Sequence, residues 1–304
     1  MDFNTPAPID TGDVPEPMHD DEFAIDAQLV RTLITRQFPR WTQLPLRRVR
    51  SSGTVNAIYR LGNDLSIRLP RTARFQDWDT DCWLTALAGH LPLPIPEPIA
   101  AGEPDDIYPW RWSVHRWMPG EPWHVARPHN QTTAAEQLAE FVRALQSIDP
   151  SKASCPTLWD GGSHIQQDQA VRAMAKHAPG IDHAAALTAW DDALAAPAPS
   201  GQPVLIHWDL LPGNILVDGD RISAVIDWGA IAVGDPSRDL LPAWTLFSGD
   251  ARRIFRSELP FDDATWARAR GWALAFVVGA AYYADTNPAF ASECRSTVQA
   301  VLDE

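Results

Sequence analysis

Two segments of the 304-residue sequence carry side chains whose types and spacing could do chemistry. In the first, Asp209 follows a short apolar run and Asn214 lies five residues further on. In the second, Asp227 ends another apolar run, two residues before a glycine. An amide oxygen and a carboxylate suit Mg²⁺, which takes a few protein oxygens together with phosphate oxygens. Another carboxylate can accept the proton of an incoming hydroxyl group.

A β-hairpin would bring these side chains together. Apolar runs at 204–206, 215–217 and 223–226 predict short strands. Gly219 and Asp220 predict a tight turn between the last two strands, so that Asn214 and Asp227 reach one edge. In one alternative reading, the polar residues of both segments merely cap backbone groups in loops. In another, His207 and Asp209 are metal ligands of a hydrolase, although a third ligand cluster is missing.

The rest of the chain changes character near residue 117. Strand patterns prevail before it, at 46–50, 57–61, 65–69 and 112–118, with helices near 26–38 and 76–88. Helical periodicity prevails after it, at 132–148, 165–177, 182–195, 237–247, 250–257, 263–284 and 290–302. The order predicts an α+β protein with a small mixed lobe joined to a larger helical lobe.

The net charge of −14 is concentrated at the N-terminus. Residues 1–26 hold eight acidic residues and no Lys or Arg, which leaves −6 for the remainder. Residues 1–21, which are rich in acids and prolines, are predicted to be a disordered tail. The acidic remainder argues against a nucleic-acid partner. It would suit a cationic small substrate, although ordinary solubility is the simpler explanation of this charge.

Membrane and export signals are absent from the sequence pattern. No run of about 18 apolar residues occurs, and the N-terminus lacks a basic, apolar signal segment. The three cysteines, Cys82, Cys155 and Cys294, lie far apart and form no pair of metal ligands. These features predict a reduced, cytoplasmic protein with no membrane partner, no disulfide framework and no cysteine-built zinc site.

The two chemical segments are parts of a longer pattern. Residues 207–217 read H-W-D-L-L-P-G-N-I-L-V, residues 224–229 read A-V-I-D-W-G and residues 233–240 read V-G-D-P-S-R-D-L. Together they resemble the signature of the aminoglycoside phosphotransferase family of small-molecule kinases. The resemblance implies a bilobal protein-kinase-like fold, with an N-lobe over residues 22–117 and a C-lobe over residues 118–304.

The resemblance also implies roles for individual residues of the pattern. Asp209 would orient and deprotonate the substrate hydroxyl, and Asn214 and Asp227 would ligate Mg²⁺. His207 and Asp239 would hold the catalytic loop through hydrogen bonds. Positioning and charge neutralisation would supply most of the catalysis.

Nucleotide binding is implied for three parts of the N-lobe. Residues 51–61 resemble the family's nucleotide loop, residues 65–70 its phosphate-binding strand and residues 112–120 the hinge that borders the adenine. The implied nucleotide-binding residues are Ser52, Gly53, Thr54, Arg68, Arg116 and Trp117. Arg68 could instead be a strand residue that faces water.

Three positions depart from the family pattern. Trp208 stands where the family has Gly, and Arg68 stands where kinases use Lys. The helix acid that pairs with the phosphate-binding cation is ambiguous, since Asp79 and Asp81 both lie near the expected place.

The resemblance implies an O-phosphotransferase that uses Mg²⁺ and ATP or GTP and acts on a hydroxyl of a small molecule. An aminoglycoside is the first candidate acceptor and a macrolide the second. The acidic body favours the former, and the Trp-rich C-terminal half favours the latter. The alternative is a non-catalytic, kinase-like protein that binds a nucleotide or another ligand.

Overall fold

The computed structural model describes residues 9–10, 22–49, 55–73 and 79–304. The chain divides into two compact units. The first unit comprises Met1–Ala88 and Ile95–Met118, and the second comprises Gly89–Pro94 and Pro119–Glu304.

A six-stranded sheet forms the centre of the first unit. Its strands are β1 (Ile9–Asp10), β2 (Leu46–Arg48), β3 (Asn56–Leu61), β4 (Leu65–Pro70), β5 (Pro98–Gly102) and β6 (Trp112–Arg116), in the order β1-β2-β3-β4-β6-β5. β3 and β4 are antiparallel neighbours, and the glycine of their predicted turn, Gly62, has φ +62°. Alternate residues of β3, namely Ala57, Tyr59 and Leu61, are buried, as the period-2 pattern requires.

Two helices complete the first unit, α1 (Ala27–Gln37) and α2 (Asp79–Leu87). Asp26 begins α1 as predicted, because its Oδ1 accepts a hydrogen bond from the Leu29 amide at 2.7 Å. Val30, Leu33 and Ile34 recur at helical spacing on the buried face of α1 and belong to the same apolar core as the sheet.

The second unit is mainly helical. Its helices are α3 (Thr132–Ser147), α4 (Asp168–Met174), α5 (His183–Leu194), α6 (Pro242–Thr245), α7 (Gly249–Ser257), α8 (Asp263–Leu274), α9 (Phe276–Tyr282) and α10 (Pro288–Leu302). Its strands are β7 (Glu121–Pro122), β8 (Val204–Ile206), β9 (Ile215–Asp218), β10 (Arg221–Val225) and β11 (Ala232–Gly234). They form a three-stranded sheet in the order β10-β9-β7 and a two-stranded sheet of β11 and β8.

The predicted α+β fold and the predicted hairpin are both confirmed. β9 and β10 pair antiparallel, and Gly219 in their turn has φ +60°. The sequence reading missed β5, β7 and β11. β7 and β11 pair with strands distant along the chain, β9 and β8, whereas β5 pairs with the next strand, β6. The single helix predicted over 263–284 is divided into α8 and α9.

The structure also describes two residues of the N-terminal segment and one free cysteine. Within the segment predicted as a disordered tail, Ile9 and Asp10 pair in parallel with β2, and the other residues of that segment lie outside the described residues. Among the cysteines of the described residues, Cys294 is a free, buried thiol. Among the helices formed by described residues, none has the length and apolarity that a membrane span requires.

Candidate active site

The loop that joins β8 to β9 carries Asp209 and Asn214 and holds them in contact. The Asn214 side-chain amide donates to the Asp209 backbone carbonyl at 2.9 Å and to Asp209 Oδ2 at 2.8 Å. Two tight turns shape the loop, since the Leu211 amide donates to Asp209 O and the Asn214 amide donates to Leu211 O. The spacing of five residues therefore brings carboxylate and amide together within one loop.

His207 connects this loop to the end of β10. Its side chain is fully buried, and its Nε2–H donates to the Ile226 carbonyl at 3.1 Å. Its Nδ1 accepts from the Asp209 amide at 3.3 Å, so the ring is the neutral Nε2–H tautomer. Burial lowers the pKa of His207 to about 4. The ring therefore links two backbone segments and has no proton to transfer near neutral pH.

Asp239 supports the same loop from the opposite side. It lies in a 3₁₀ turn, Pro236–Leu240, and is fully buried. Its Oδ2 accepts from the His207 amide at 2.8 Å and its Oδ1 from the Trp208 amide at 2.9 Å. Burial raises the pKa of Asp239 to about 6, although these two hydrogen bonds favour the carboxylate. One side chain thus holds two successive peptide groups immediately before Asp209.

The hairpin places Asp227 next to this loop. β9 and β10 end in register, with Val225 opposite Ile215, and the Ile226 amide donates to the Asn214 carbonyl at 2.9 Å. Asp227 follows with φ +62°, a left-handed conformation that side chains other than glycine seldom adopt. The structure therefore brings Asn214 and Asp227 to adjacent chain ends at one edge of the hairpin.

The surroundings of Asp209 act on its carboxyl group in opposite directions. Burial raises its pKa, and the charge of Asp227 acts in the same sense. The positive charge of Arg238 and the hydrogen bond from Asn214 act against this rise. Asp209 is therefore a desolvated carboxyl group whose ionised form is stabilised by one cation and one amide.

The donor set at the hairpin edge fits Mg²⁺. Asn214 uses its amide nitrogen toward Asp209, which leaves its Oδ1 as a neutral oxygen ligand, and Asp227 supplies a carboxylate. In the part of the chain that the structure describes, no group of three or more His, Cys, Asp or Glu side chains could hold a metal alone. Two protein oxygens suit an ion that keeps waters and binds phosphate oxygens as well.

The Trp208 side chain packs against residues far away in the sequence. Its backbone has φ +73°, which costs a residue with a Cβ atom about 1–3 kcal/mol. Its Nε1–H donates to the Gly161 carbonyl at 2.9 Å, and its ring lies 5.6 Å from that of Trp159. The Arg238 guanidinium carbon lies 3.8 Å from the Trp208 ring centroid. The sequence reading missed Arg238, although its position between two acids of the G-D-P-S-R-D-L pattern was a signal.

In the first unit, Arg68 lies on β4 opposite Ser113 of β6. The buried His115 is near enough for the charge of Arg68 to contribute to a lowered pKa of that histidine, whose main cause is burial. His115 Nε2 lies 2.8 Å from Asp81 Oδ1 on α2. Of the two acids predicted for this helix, Asp81 therefore contacts His115, and the Asp79 side chain lies outside the described residues.

Two of the other residues assigned to nucleotide binding, Arg116 and Trp117, contact different parts of the first unit. Arg116 is exposed and its Nε lies 2.5 Å from Glu97 Oε2. The Trp117 amide donates to the Asp64 carbonyl at 2.7 Å, and the Arg60 guanidinium lies 4.6 Å from the Trp117 ring centroid. Ser52, Gly53 and Thr54 lie outside the described residues.

Solved structures share the fold of this chain at low sequence identity. The GDP and kanamycin complex of APH(2")-IIia superposes with a TM-score of 0.71 at 18% identity, over 90% of this chain and 97% of that one. The ADP-bound aminoglycoside phosphotransferase APH(2'')-Ib gives 0.57 at 17% identity, over 92% and 99%. Macrolide 2'-phosphotransferase MphH from Brachybacterium faecium gives 0.60 at 21% identity, over 89% and 97%.

A family model decides the assignment of the chain. No curated protein gives a significant match. Residues 47–272 match the model of the phosphotransferase enzyme family, APH, and this range is more than half of the sequence. The chain therefore belongs to the APH phosphotransferase enzyme family and has its α+β, protein-kinase-like fold.

Proposed function

We propose that the protein transfers the terminal phosphoryl group of ATP or GTP to a hydroxyl of a small molecule, with Asp209 as the catalytic residue. The observation that carries the proposal is the contact of Asp209 with Asn214 in a loop held by His207 and Asp239. Family membership over residues 47–272 supports phosphotransfer as the type of reaction.

The chemistry follows from the position of the carboxylate. Asp209 Oδ2 accepts from Asn214, while Oδ1 makes no hydrogen bond to a described residue. In the proposed reaction Oδ1 orients the acceptor hydroxyl and takes its proton. The hydroxyl oxygen forms a bond to the terminal phosphorus as the bond to the bridging oxygen breaks, and the nucleoside diphosphate leaves. Alignment of the two substrates and stabilisation of the developing charge supply most of the rate enhancement in such transfers.

Several further residues are assigned to charge neutralisation and to nucleotide binding. Asn214 Oδ1 and the Asp227 carboxylate would hold Mg²⁺, which when bound neutralises charge on the nucleotide phosphates. Arg68 would pair with the α- and β-phosphates, and the backbone of Ser52, Gly53 and Thr54 would cover them. Arg116 and Trp117 would border the base. The GDP-bound and ADP-bound relatives support a nucleotide as the donor.

The proposed acceptor is an antibiotic with a free hydroxyl, of the aminoglycoside type first and the macrolide type second. Relatives of both kinds share the fold, and the net charge of −6 that remains outside residues 1–26 favours a cationic acceptor. The argument for a macrolide from the tryptophans of the C-terminal half weakens, since several of them, such as Trp190, Trp228 and Trp272, are buried core residues.

One observation favours a second candidate, a kinase-like protein that binds its ligand without turnover. Trp208 replaces the usual glycine directly before Asp209 and has a left-handed backbone. A loop distorted by this residue would bind nucleotide and release no diphosphate.

The test is the release of nucleoside diphosphate with Mg²⁺ and ATP or GTP across a panel of aminoglycosides, macrolides and nucleoside antibiotics. We expect acceptor-dependent release that Asp209→Asn lowers by about 10²–10⁴-fold. Asp218→Asn is the matched control, because it removes an exposed carboxylate from the same hairpin. Release that Asp209→Asn leaves unchanged would refute the catalytic assignment. Nucleotide binding without release for any acceptor would support the second candidate.

A further inference from the structure

Trp208, the residue before Asp209, has an unfavourable backbone conformation. Trp208 is one of the two described residues other than glycine with positive φ. Such a conformation persists only where surrounding contacts determine it. The contacts that hold Trp208 are therefore those that set the direction in which the chain enters Asp209.

Each polar group of Trp208 has a partner. Its amide donates to Asp239 Oδ1 at 2.9 Å, and its indole donates to the Gly161 carbonyl at 2.9 Å. Its carbonyl accepts from Arg238 Nε at 2.6 Å. That carbonyl belongs to the Trp208–Asp209 peptide, whose amide donates to His207 Nδ1. The peptide plane before Asp209 is thus held at both ends, and Arg238 provides one of the two hydrogen bonds.

Arg238 itself lies against two aromatic rings. Its guanidinium carbon lies 3.8 Å from the Trp208 ring centroid and 4.6 Å from that of Trp272 on α8. Arg238 is only 6% exposed. The two rings lie at 71° to each other, so a planar guanidinium can stack on one ring, approach the other as a cation and donate from Nε at the same time, which an ammonium group cannot do. The stack therefore requires an arginine rather than any cation.

We propose that Arg238 is a positioning residue for Asp209 and acts through Trp208. It holds the Trp208 carbonyl and ring, and so maintains the left-handed conformation that directs Asp209 toward the acceptor hydroxyl. The tryptophan at the glycine position and the buried arginine act as a coupled pair. This inference rests on the proposed phosphotransfer function.

The test compares four proteins: the wild type, Arg238→Met, Trp208→Gly and the double variant. Arg238→Met should lower kcat about 30–100-fold, because small misplacement of a reacting group costs about 10²-fold. The KM values for nucleotide and acceptor should change less than about 3-fold, since the carboxylate acts in the chemical step. With glycine at position 208, which adopts positive φ without support, the same substitution should cost less than about 5-fold.

Two further variants separate positioning from general damage. Arg238→Lys keeps the charge but loses the stack and the Nε donor, so its kcat should fall nearly as far as that of Arg238→Met. Arg268→Met removes another buried arginine of the same unit, which is 4% exposed and forms an ion pair with Asp235. It should lower the melting temperature while leaving kcat within about 3-fold of the wild type.

Several results would overturn the inference. They are an unchanged kcat in Arg238→Met, full activity in Arg238→Lys, equal losses in the two Trp208 backgrounds, and an equal kcat loss in Arg268→Met. If Arg238→Met does not fold, Arg238→Lys decides. Wild-type turnover combined with any of these results refutes the positioning role alone, whereas absence of wild-type turnover with every acceptor refutes the proposed function.

Discussion

The side-chain amide of Asn214 donates to both the backbone carbonyl and the carboxylate of Asp209, at 2.9 and 2.8 Å. The residue proposed to hold the metal therefore also orients the residue proposed to take the proton. A substitution of Asn214 should therefore impair both metal binding and the orientation of Asp209, whereas a residue that only binds the metal would affect the first alone.

We predict that Asn214→Ala lowers kcat by about 10²-fold and raises the Mg²⁺ concentration needed for half-maximal activity. The physical reason is that the variant loses an oxygen ligand and both hydrogen bonds to Asp209. Titration of the diphosphate-release rate with Mg²⁺ measures the two effects. Asn63→Ala, in the exposed turn between β3 and β4, is the control. A changed Mg²⁺ dependence without a lower kcat at saturating Mg²⁺ would contradict the orienting role.

We predict that His207 makes the stability of the fold depend on pH. Its pKa is lowered from an unfolded value of about 6.5 to about 4, so the unfolded chain binds more protons between these values. The free energy of unfolding should therefore decrease as pH falls from about 6.5 towards 4, by on the order of 2–3 kcal/mol from this residue.

Urea unfolding at a series of pH values tests this prediction in the wild type and in His207→Gln. The pKa of Asp239 is raised to about 6 in the folded protein, so the folded chain holds this proton at a higher pH than the unfolded chain does. Asp239 therefore makes the free energy of unfolding increase as pH falls over part of this range, opposite to the effect of His207. Because Asp239 is present in both proteins, the difference between their pH profiles reports on His207. Parallel profiles for the two proteins would show that the prediction is wrong.

We predict that Asp81→Ala destabilises the first unit by about 1–3 kcal/mol. The buried His115 ring would lose the bond from Nε2 to Asp81, and its Nδ1 already has no hydrogen-bond partner among the described residues. Asp106→Ala is the contrasting control, because Asp106 pairs with Arg36 at the surface, where an ion pair contributes little. Unfolding free energies compare the two variants, and an equal loss in both would contradict the role given to burial.

The sequence alone was sufficient to predict features that depend on residues close together along the chain. The Asp26 cap of α1, the turn at Gly219 and the spacing of Asp209 from Asn214 each depend on hydrogen bonds or dihedral angles within a few residues. The types and spacing of neighbouring residues determine these local features. The family pattern over residues 207–240 combined them, so the fold could be predicted from the sequence and candidate site residues could be named.

Tertiary structure decided the contacts between residues that are distant in sequence. Trp208 could be recognised as a departure, but only folding brings it against Gly161, Arg238 and Trp272. Likewise, only packing places Asp81 of α2 against His115 of β6. No periodicity encodes such pairs, because each forms where separate elements pack together and buried polar groups must find partners.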